Sequence, residues 1–306
     1  MIALTILVLL ISYICYRIAF YNNKKYENPY EFPNDEGTLK HLNYMTSLID
    51  ELKVIPYKEV FITSFDRLKL HGKYYHKKDG APIQIQMHGY HGNCFRDFSG
   101  GNKLAREAGF NTLIIDQRSH GKSEGKTISF GINESKDCIS WINYLISEFG
   151  NDVEILLVGV SMGAASVLMS TKYELPCNVK AIIADCPYSS PKDILRKVIK
   201  EDMHLPANLV YPFIYLGALI YGRFKLTSND PIKAMENCKI PVCLIHGEKD
   251  TFVPTYMSKK IYESCNSYKE ILIVKDASHG MSYIEDTNLY TEFIIKFIEN
   301  LNLKNI

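Results

Sequence analysis

From residue 60 onwards, short apolar runs alternate with longer stretches in which apolar residues recur at helical spacing. Two runs, 60–65 and 68–75, flank a turn at Asp66 and Arg67 and predict an antiparallel hairpin at the edge of a sheet. Apolar strands separated by helices predict an α/β fold, with a mostly parallel central sheet and helices on both faces. The predicted inner strands are 83–87, 112–115, 153–158, 181–184, 241–245 and 271–274, and helical stretches include 101–108, 133–149 and 291–301.

The N-terminal segment 1–21 departs from this alternation, because it is apolar throughout and carries one charge, Arg17. A helix of this length spans roughly 30 Å, the thickness of a bilayer core. We therefore expect an uncleaved, single-pass transmembrane anchor. Lys24 and Lys25 follow it and predict that the main body lies on the cytoplasmic side of the cell membrane. A cleaved secretory signal is the alternative, although the basic segment that normally opens such a signal is missing.

The composition is that of a globular enzyme: 306 residues, 46% hydrophobic, with a formal net charge of +1. Clustered basic residues would be needed to neutralise phosphates, so nucleic acid is not expected as a partner. The eight cysteines show no Cys-x-x-Cys spacing, which favours buried free thiols in a reducing compartment over disulfides or a metal site. The oligomeric state does not follow from the sequence.

The strongest chemical signal is the pentapeptide from Gly159 to Gly163, with Ser161 at its centre. It lies between a predicted strand and a predicted helix, where Gly-x-Ser-x-Gly forms a nucleophile elbow. The two glycines are needed because the sharp turn brings backbone atoms together at these positions. A serine hydroxyl is a weak nucleophile by itself, so this interpretation requires a base and an orienting acid.

Two later strands supply candidates for both partners. The strand at 241–245 leads into a loop that ends at Asp250, and the strand at 271–274 leads into a loop that carries His279. The order serine, acid, histidine is the one found with this type of elbow. We expect Ser161 to be the nucleophile, His279 the general base and Asp250 the acid that orients the histidine.

Together, these motifs resemble those of the serine α/β-hydrolases, especially the bacterial esterase, thioesterase and serine-aminopeptidase-like members. Four further segments contribute to the resemblance: His88-Gly89-Tyr90-His91-Gly92-Asn93, the loop 116–125, the strand and loop 181–187, and His246-Gly247-x-x-Asp250. The resemblance implies the α/β-hydrolase fold with a helical lid insertion, and an oxyanion hole formed by the backbone N–H groups of Tyr90 and Met162. It implies no metal or organic cofactor.

We divide the chain accordingly into an anchor (1–21), a tether with a short helix near 39–52 (22–54), a hydrolase core (55–188 and 236–306) and a lid insertion (189–235). The insertion contains the very apolar run 209–221. This run is suited to lining an acyl pocket, to touching a bilayer, or simply to covering the core.

Other titratable residues compete for roles in the site. Asp185 ends the strand that follows the nucleophile helix, where some relatives carry their acid, and is the alternative to Asp250. We expect His91 and His120 to be polar groups of the surface or of the pocket. The remaining candidates are expected to be structural or surface groups: His88, Asp116, His246, Glu248 and Asp276.

We expect a serine hydrolase that cleaves a carboxylic ester or thioester of a small molecule with an apolar acyl part. An aminopeptidase-like hydrolase is one alternative, but it would need a carboxylate to hold a substrate ammonium group, and the sequence identifies none. A non-catalytic, membrane-tethered binding protein is the other alternative.

Overall fold

The computed structural model describes residues 1–23, 28–34 and 36–303. Its centre is a sheet in which the described strands number eight, in the order β1-β2-β4-β3-β5-β6-β7-β8. The hairpin partners β1 and β2 are antiparallel, β2 is antiparallel to β4, and all remaining neighbours are parallel. The predicted mostly parallel sheet with an edge hairpin is confirmed. The strands are β1 Lys58–Thr63, β2 Lys69–Tyr75, β3 Ile83–Met87, β4 Asn111–Asp116, β5 Ile155–Val160, β6 Val179–Asp185, β7 Val242–Gly247 and β8 Lys269–Val274.

Helices cover both faces of the sheet, as predicted. The inner strands are buried along nearly their whole length, and β5 is apolar throughout because its alternate side chains enter two different cores. In β5, Leu157 packs with Trp141 on one face, whereas Leu156 packs with Phe297 on the other. The helices are α1 Ile2–Ala19, α2 Glu36–Lys40, α3 Leu42–Val54, α4 Cys94–Glu107, α5 Glu134–Phe149, α6 Met162–Ser170, α7 Pro191–Lys197, α8 Ala207–Ile220, α9 Pro231–Glu236, α10 Tyr256–Ser264, α11 Ser282–Glu285 and α12 Thr287–Glu299.

The segment expected to be a tether contains two helices, α2 and α3. Helix α3 packs on α4 and buries Leu48, Ile49 and Leu52. The described part of this segment therefore rests on the core. The flanking Lys24 and Lys25 lie outside the described residues, and the assignment of 22–54 as a tether stays a prediction.

The predicted insertion lies between β6 and β7 and is helical over much of its length. It contains α7, a π-helical turn at Val198–Asp202, and α8. Tyr211 and Ile214 of α8 belong to a third apolar cluster, which also contains Met162 of the nucleophile helix and Phe20 at the end of α1. The insertion therefore packs against the start of α6 and the end of α1, and none of residues 189–235 lines the cavity that contains Ser161. Its role as a lid stays a prediction.

Among the described residues, α1 is the helix that is long and apolar enough to cross a membrane, with a mean hydropathy of 2.2. One face of it is covered by protein, because Ser12, Tyr16 and Phe20 are buried. The rest of the helix surface is exposed and apolar. Helix α1 is therefore attached to the core along one side.

Candidate active site

Ser161 lies at the sharp turn between β5 and α6 with φ of 56°, a left-handed conformation that is rare for serine. The two glycines of the motif make this turn possible. A Cβ atom at Gly159 would lie 2.4 Å from the carbonyl carbon of Gly163, and one at Gly163 would lie 1.8 Å from the carbonyl oxygen of Met87. Any larger residue would force the strand and helix apart, and the serine side chain would lose its position.

Ser161, His279 and Asp250 form a continuous hydrogen-bonded chain. The Nε2 atom of His279 lies 2.9 Å from the Oγ of Ser161, and its Nδ1 atom lies 2.6 Å from Oδ2 of Asp250. The loops after β7 and β8 carry the acid and the histidine to the same edge of the sheet as the elbow. The structure thus brings together the three side chains named from the sequence, in the geometry that transfers a serine proton to a carboxylate-oriented imidazole.

Asp250 is held as a carboxylate. Burial by itself would raise its pKa, but hydrogen bonds and charge from His246 and His279 outweigh burial and lower the pKa to about 2. Its other oxygen, Oδ1, accepts hydrogen bonds from the backbone N–H groups of Phe252 and Val253, at 3.0 and 2.8 Å. The carboxylate is therefore ionised and fixed in orientation at neutral pH.

The amides expected to form the oxyanion hole lie beside the serine. Met162 is the first residue of α6, where backbone N–H groups have no partner within the helix. Tyr90 lines the same cavity as Ser161. The preceding backbone N–H, that of Gly89, already donates a hydrogen bond to Asp97 at 2.9 Å, and this bond fixes the loop. The N–H of Tyr90 is the next one along the loop.

Next to the triad is a cavity of about 660 Å³. It extends from Ser161 and His279 to residues of α4 and to Tyr283. The segment before α2 contributes Phe32, and α3 contributes Met45. Its wall is dominated by apolar and aromatic side chains. Two carboxyl groups, those of Asp97 and Asp185, line it.

Asp185, the alternative acid, lies in the cavity wall but not against the Nδ1 atom of His279. Its Oδ1 accepts a hydrogen bond from Ser282 at 3.3 Å, and Tyr290 also hydrogen-bonds to its carboxyl group. Burial is the largest influence and raises the pKa of Asp185 to about 6. The two aspartates of this region thus differ, because their surroundings stabilise the anion of Asp250 and destabilise the anion of Asp185 relative to a free aspartate.

Of the other candidates from the sequence, His246 lies against the triad, with its Nε2 atom 3.1 Å from Oδ2 of Asp250. Most of the rest have hydrogen-bond or ion-pair partners elsewhere. The Nε2 atom of His88 accepts from the backbone of Gln117 at 3.1 Å, and burial lowers the pKa of His88. His246 lies 2.7 Å from the carbonyl oxygen of Val253 and 2.6 Å from the hydroxyl of Ser258. Asp116 forms an ion pair with His71, and Asp276 forms one with Lys249 at the surface. The ring of His120 contacts the backbone carbonyl of Arg118. Glu248 is exposed, and His91 lines the cavity.

Cys186 lies close to the triad, and its sulfur, with one ligand atom each from Asp250 and His279, forms a cluster within 4.8 Å. Metal binding would require the thiolate. Burial raises the pKa of Cys186 well above its ordinary value, so the protonated thiol is favoured. A protonated Cys186 thiol is a poor metal ligand, so this group of side chains is better suited to a hydrogen-bonded triad than to a metal site.

Sequence reasoning missed much of the cavity wall, including Asp97, Phe32 and Met45. Asp97 lies in the first turn of α4, where an acidic residue is ordinarily explained by its favourable interaction with the helix dipole. The sequence did contain a signal for Met45. Met45, Ile49 and Leu52 follow one another at helical spacing, and this pattern predicts that they share one packed face of a helix. Phe32 lies in a polar, irregular stretch and gives no such signal.

Comparisons with known proteins agree with this fold. A family model described as "Serine aminopeptidase, S33" matches residues 83–219, which include the elbow and much of the insertion. The chain is 27% identical over 199 residues to YqkD, an uncharacterised protein of Bacillus subtilis, with 65% of each chain covered. It is 24% identical over 282 residues to YNL320W, described as an uncharacterised membrane protein of Saccharomyces cerevisiae, with 89% of each chain covered.

Among solved structures, the Pyrococcus furiosus esterase Pf2001 superposes with a TM-score of 0.67 at 21% identity. The match covers 92% of this chain and 98% of the esterase. At this identity the likeness establishes the fold. The eight-stranded sheet, the elbow between β5 and α6 and this structural likeness show that the chain has the α/β-hydrolase fold.

Proposed function

We propose that the protein is a serine hydrolase that cleaves carboxylic esters or thioesters with an apolar acyl group. The hydrogen-bonded path from Ser161 Oγ through His279 to Asp250 is the observation on which this proposal depends. The arrangement supports nucleophilic catalysis because each atom needed for proton transfer already has its partner.

In the first half of the reaction, Ser161 Oγ attacks the substrate carbonyl carbon while His279 Nε2 takes the hydroxyl proton. The tetrahedral intermediate carries a negative oxygen, which the N–H groups of Met162 and Tyr90 stabilise. Asp250 holds the tautomer of His279 that presents a free Nε2 lone pair, and it stabilises the imidazolium that forms. Collapse of the intermediate transfers the proton to the alcohol or thiol leaving group and leaves an acyl group on Ser161.

In the second half, a water molecule gives a proton to His279 and attacks the acyl carbon. The same amides stabilise the second intermediate, and the proton returns from His279 to Ser161 as the acid product leaves. Each step uses side chains, backbone amides and water.

The cavity supports an apolar acyl group as substrate. Phe98, Met281 and Tyr283 contribute to a wall that offers mainly carbon surface beside the nucleophile. Pockets of this kind bind by burying apolar surface, with a few polar groups fixing the orientation. A volume of about 660 Å³ accommodates a small-molecule acyl chain.

An aminopeptidase-like activity is the second candidate, because the matching family model carries that description. Such an enzyme needs an ionised carboxylate to bind the substrate ammonium. Asp97 already binds Arg96 and the amide of Gly89, and Asp185 is buried with a pKa raised to about 6. Neither carboxyl is well suited to bind an ammonium group, so we favour the ester.

We further propose that α1 anchors the protein in the cell membrane, with the catalytic core on the cytoplasmic side. The length and apolar surface of α1 support the anchor, and a yeast relative is described as a membrane protein. The side follows from the bias of Lys24 and Lys25, through the tendency of basic residues to remain in the cytoplasm.

A fluorophosphonate probe tests the nucleophile. We expect the full-length protein to be labelled, and Ser161→Ala to fold but to remain unlabelled. A series of p-nitrophenyl esters of increasing acyl length, beside aminoacyl p-nitroanilides, separates the two activities. Preference for the anilides would overturn the ester assignment, and a folded wild type that is neither labelled nor active would favour a binding protein.

A further inference from the structure

Helix α1 is joined to α8 at the middle of its length. The hydroxyl of Tyr221 donates to the carbonyl oxygen of Leu9 at 3.0 Å, and a Cβ atom at Gly217 would lie 2.5 Å from the carbonyl oxygen of Ser12. Such a close approach of two helices requires a residue as small as glycine at the contact. The contact therefore fixes the position of α8 along the axis of α1.

The far side of α8 is apolar and is not covered by any residue that the structure describes. Leu209, Pro212, Leu219 and Ile220 are exposed at helical spacing, and no charged residue occurs between Leu209 and Ile220. Helix α1 likewise exposes Leu10 and Ile14. We call these exposed apolar faces of the two helices together the α1–α8 surface.

The apolar part of α1 is about as long as a bilayer core is thick. If α1 lies in the membrane, its middle, near Leu9 and Ser12, lies within the hydrocarbon region. Tyr221 and Gly217 must then lie at the same depth, unless α1 breaks its contacts with the core. Those contacts are extensive, because Phe20 is buried between Phe130 and Phe224.

We propose that α8 enters the bilayer together with α1, so that the α1–α8 surface contacts lipid acyl chains. With 14 residues, α8 is too short to cross a bilayer and enters it only in part. Arg17 and Arg223 are exposed close to the Phe20–Phe224 contact, and their long side chains reach the headgroups. This inference rests on the proposed anchoring by α1 and not on the proposed chemistry.

Insertion of this pair brings the candidate active site close to the lipid. The hydroxyl of Tyr90, a residue of the cavity wall, donates to the carbonyl oxygen of Ala19 at 3.0 Å. Tyr90 therefore links the wall of the cavity to the end of α1.

Tryptophan fluorescence tests the depth of α8. The chain has a single tryptophan, Trp141, which is fully buried in the sheet core and serves as a constant background. We would reconstitute the full-length variants Leu10→Trp, Leu219→Trp and Phe149→Trp in phosphatidylcholine vesicles with or without bromine on the acyl chains. Phe149 is the matched control, because it is 42% exposed against 47% for Leu219 but lies at the end of α5, before β5 begins.

We expect brominated lipid to remove most of the added emission of Leu10→Trp and Leu219→Trp and to leave that of Phe149→Trp unchanged. Quenching of Leu10→Trp without quenching of Leu219→Trp would overturn the proposal, whether α1 had separated from α8 or a second copy of the chain covered α8. Quenching of neither would remove its premise, the anchoring by α1. The readout does not depend on catalysis, so failure of the proposed hydrolase activity leaves it unaffected.

Discussion

Asp250 binds the Nδ1 atom of His279 with one carboxylate oxygen while its other oxygen accepts two backbone hydrogen bonds. The backbone donors fix which oxygen faces the imidazole. An asparagine at this position would keep its carbonyl oxygen on those donors and turn its NH₂ group toward Nδ1. His279 would then carry its proton on Nε2, where it cannot accept the proton of Ser161.

Asp250→Asn is therefore expected to lower kcat by roughly 10⁴-fold with little change in fold, as loss of the orienting acid does in other serine triads. Steady-state hydrolysis of a p-nitrophenyl ester, with circular dichroism as a check on folding, measures the effect. Asp185→Asn is the control and should retain most of its activity. The reverse pattern, with Asp185→Asn inactive and Asp250→Asn active, would reassign the acid.

Asp185 is expected to make stability depend on pH. Burial raises its pKa from the ordinary 3.8 to about 6, so the folded state binds the proton more tightly than the unfolded state does. Tighter proton binding by Asp185 stabilises the folded state in full at pH values below the pKa that Asp185 has in the unfolded state. This stabilisation is lost as the pH rises through about 6. Above that pH the folded protein bears the cost of a buried charge.

Asp185→Asn removes this charge, so it should stabilise the protein more at pH 8 than at pH 4. The difference between the two values is expected to be on the order of 3 kcal/mol, from about two pKa units. Urea unfolding of wild type and variant at both pH values gives the measurement. An equal effect of the substitution at pH 4 and pH 8 would show that the pKa of Asp185 is not raised.

Gly100 and Tyr283 are in close contact in the cavity wall. A Cβ atom at Gly100 would lie 2.4 Å from Cε1 of the Tyr283 ring, so Gly100→Ala must displace that ring. We expect a loss of about 1–3 kcal/mol in the free energy of unfolding, and a higher KM for long-chain esters because the ring enters the cavity.

Two variants separate this clash from other effects of alanine in α4. Gly101→Ala, whose Cβ atom would lie 3.2 Å from the Phe98 ring, should be much milder. In a Tyr283→Ala background, Gly100→Ala should become nearly neutral, because the clashing ring is absent. Full retention of the Gly100→Ala effect in that background would rule out the clash as its cause.

The strands of the core could be predicted because each inner strand is buried on both faces. Leu156 and Leu157 enter different cores, so β5 appears in the sequence as a continuous apolar run bounded by turns. The proximity of Ser161, Asp250 and His279 could also be anticipated, since parallel strands bring their carboxyl ends to one edge of a sheet. Their catalytic roles stay predictions.

Contacts that depend on tertiary packing could not be predicted in the same way. The apolar residues of α1 have the same sequence pattern whether they face lipid, α8 or Phe130. Only the three-dimensional structure separates Phe20, which is part of the core, from Ile18, which is exposed. The same holds for Phe32, which reaches the cavity from a segment without regular periodicity.

The end of α1 is therefore expected to contribute to the stability of the catalytic core as well as to anchoring. Phe20 is fully buried and makes edge-to-face contacts with Phe130 and Phe224, with ring centroids 5.7 and 5.2 Å apart. Phe20→Ala should lower the free energy of unfolding by about 3–5 kcal/mol, the usual cost of removing a buried phenylalanine ring. Ile18→Ala is the matched control, because Ile18 is 64% exposed two residues earlier, and its effect should be small.

Unfolding of the full-length protein by urea in detergent micelles, followed through the fluorescence of the buried Trp141, compares the two variants. Similar values for Phe20→Ala and Ile18→Ala would mean that α1 ends outside the core and acts only as an anchor. A large loss confined to Phe20→Ala would mean that a soluble catalytic domain has to retain Phe20. In that case, removal of residues 1–21 destabilises the enzyme because it opens a cavity between Phe130 and Phe224.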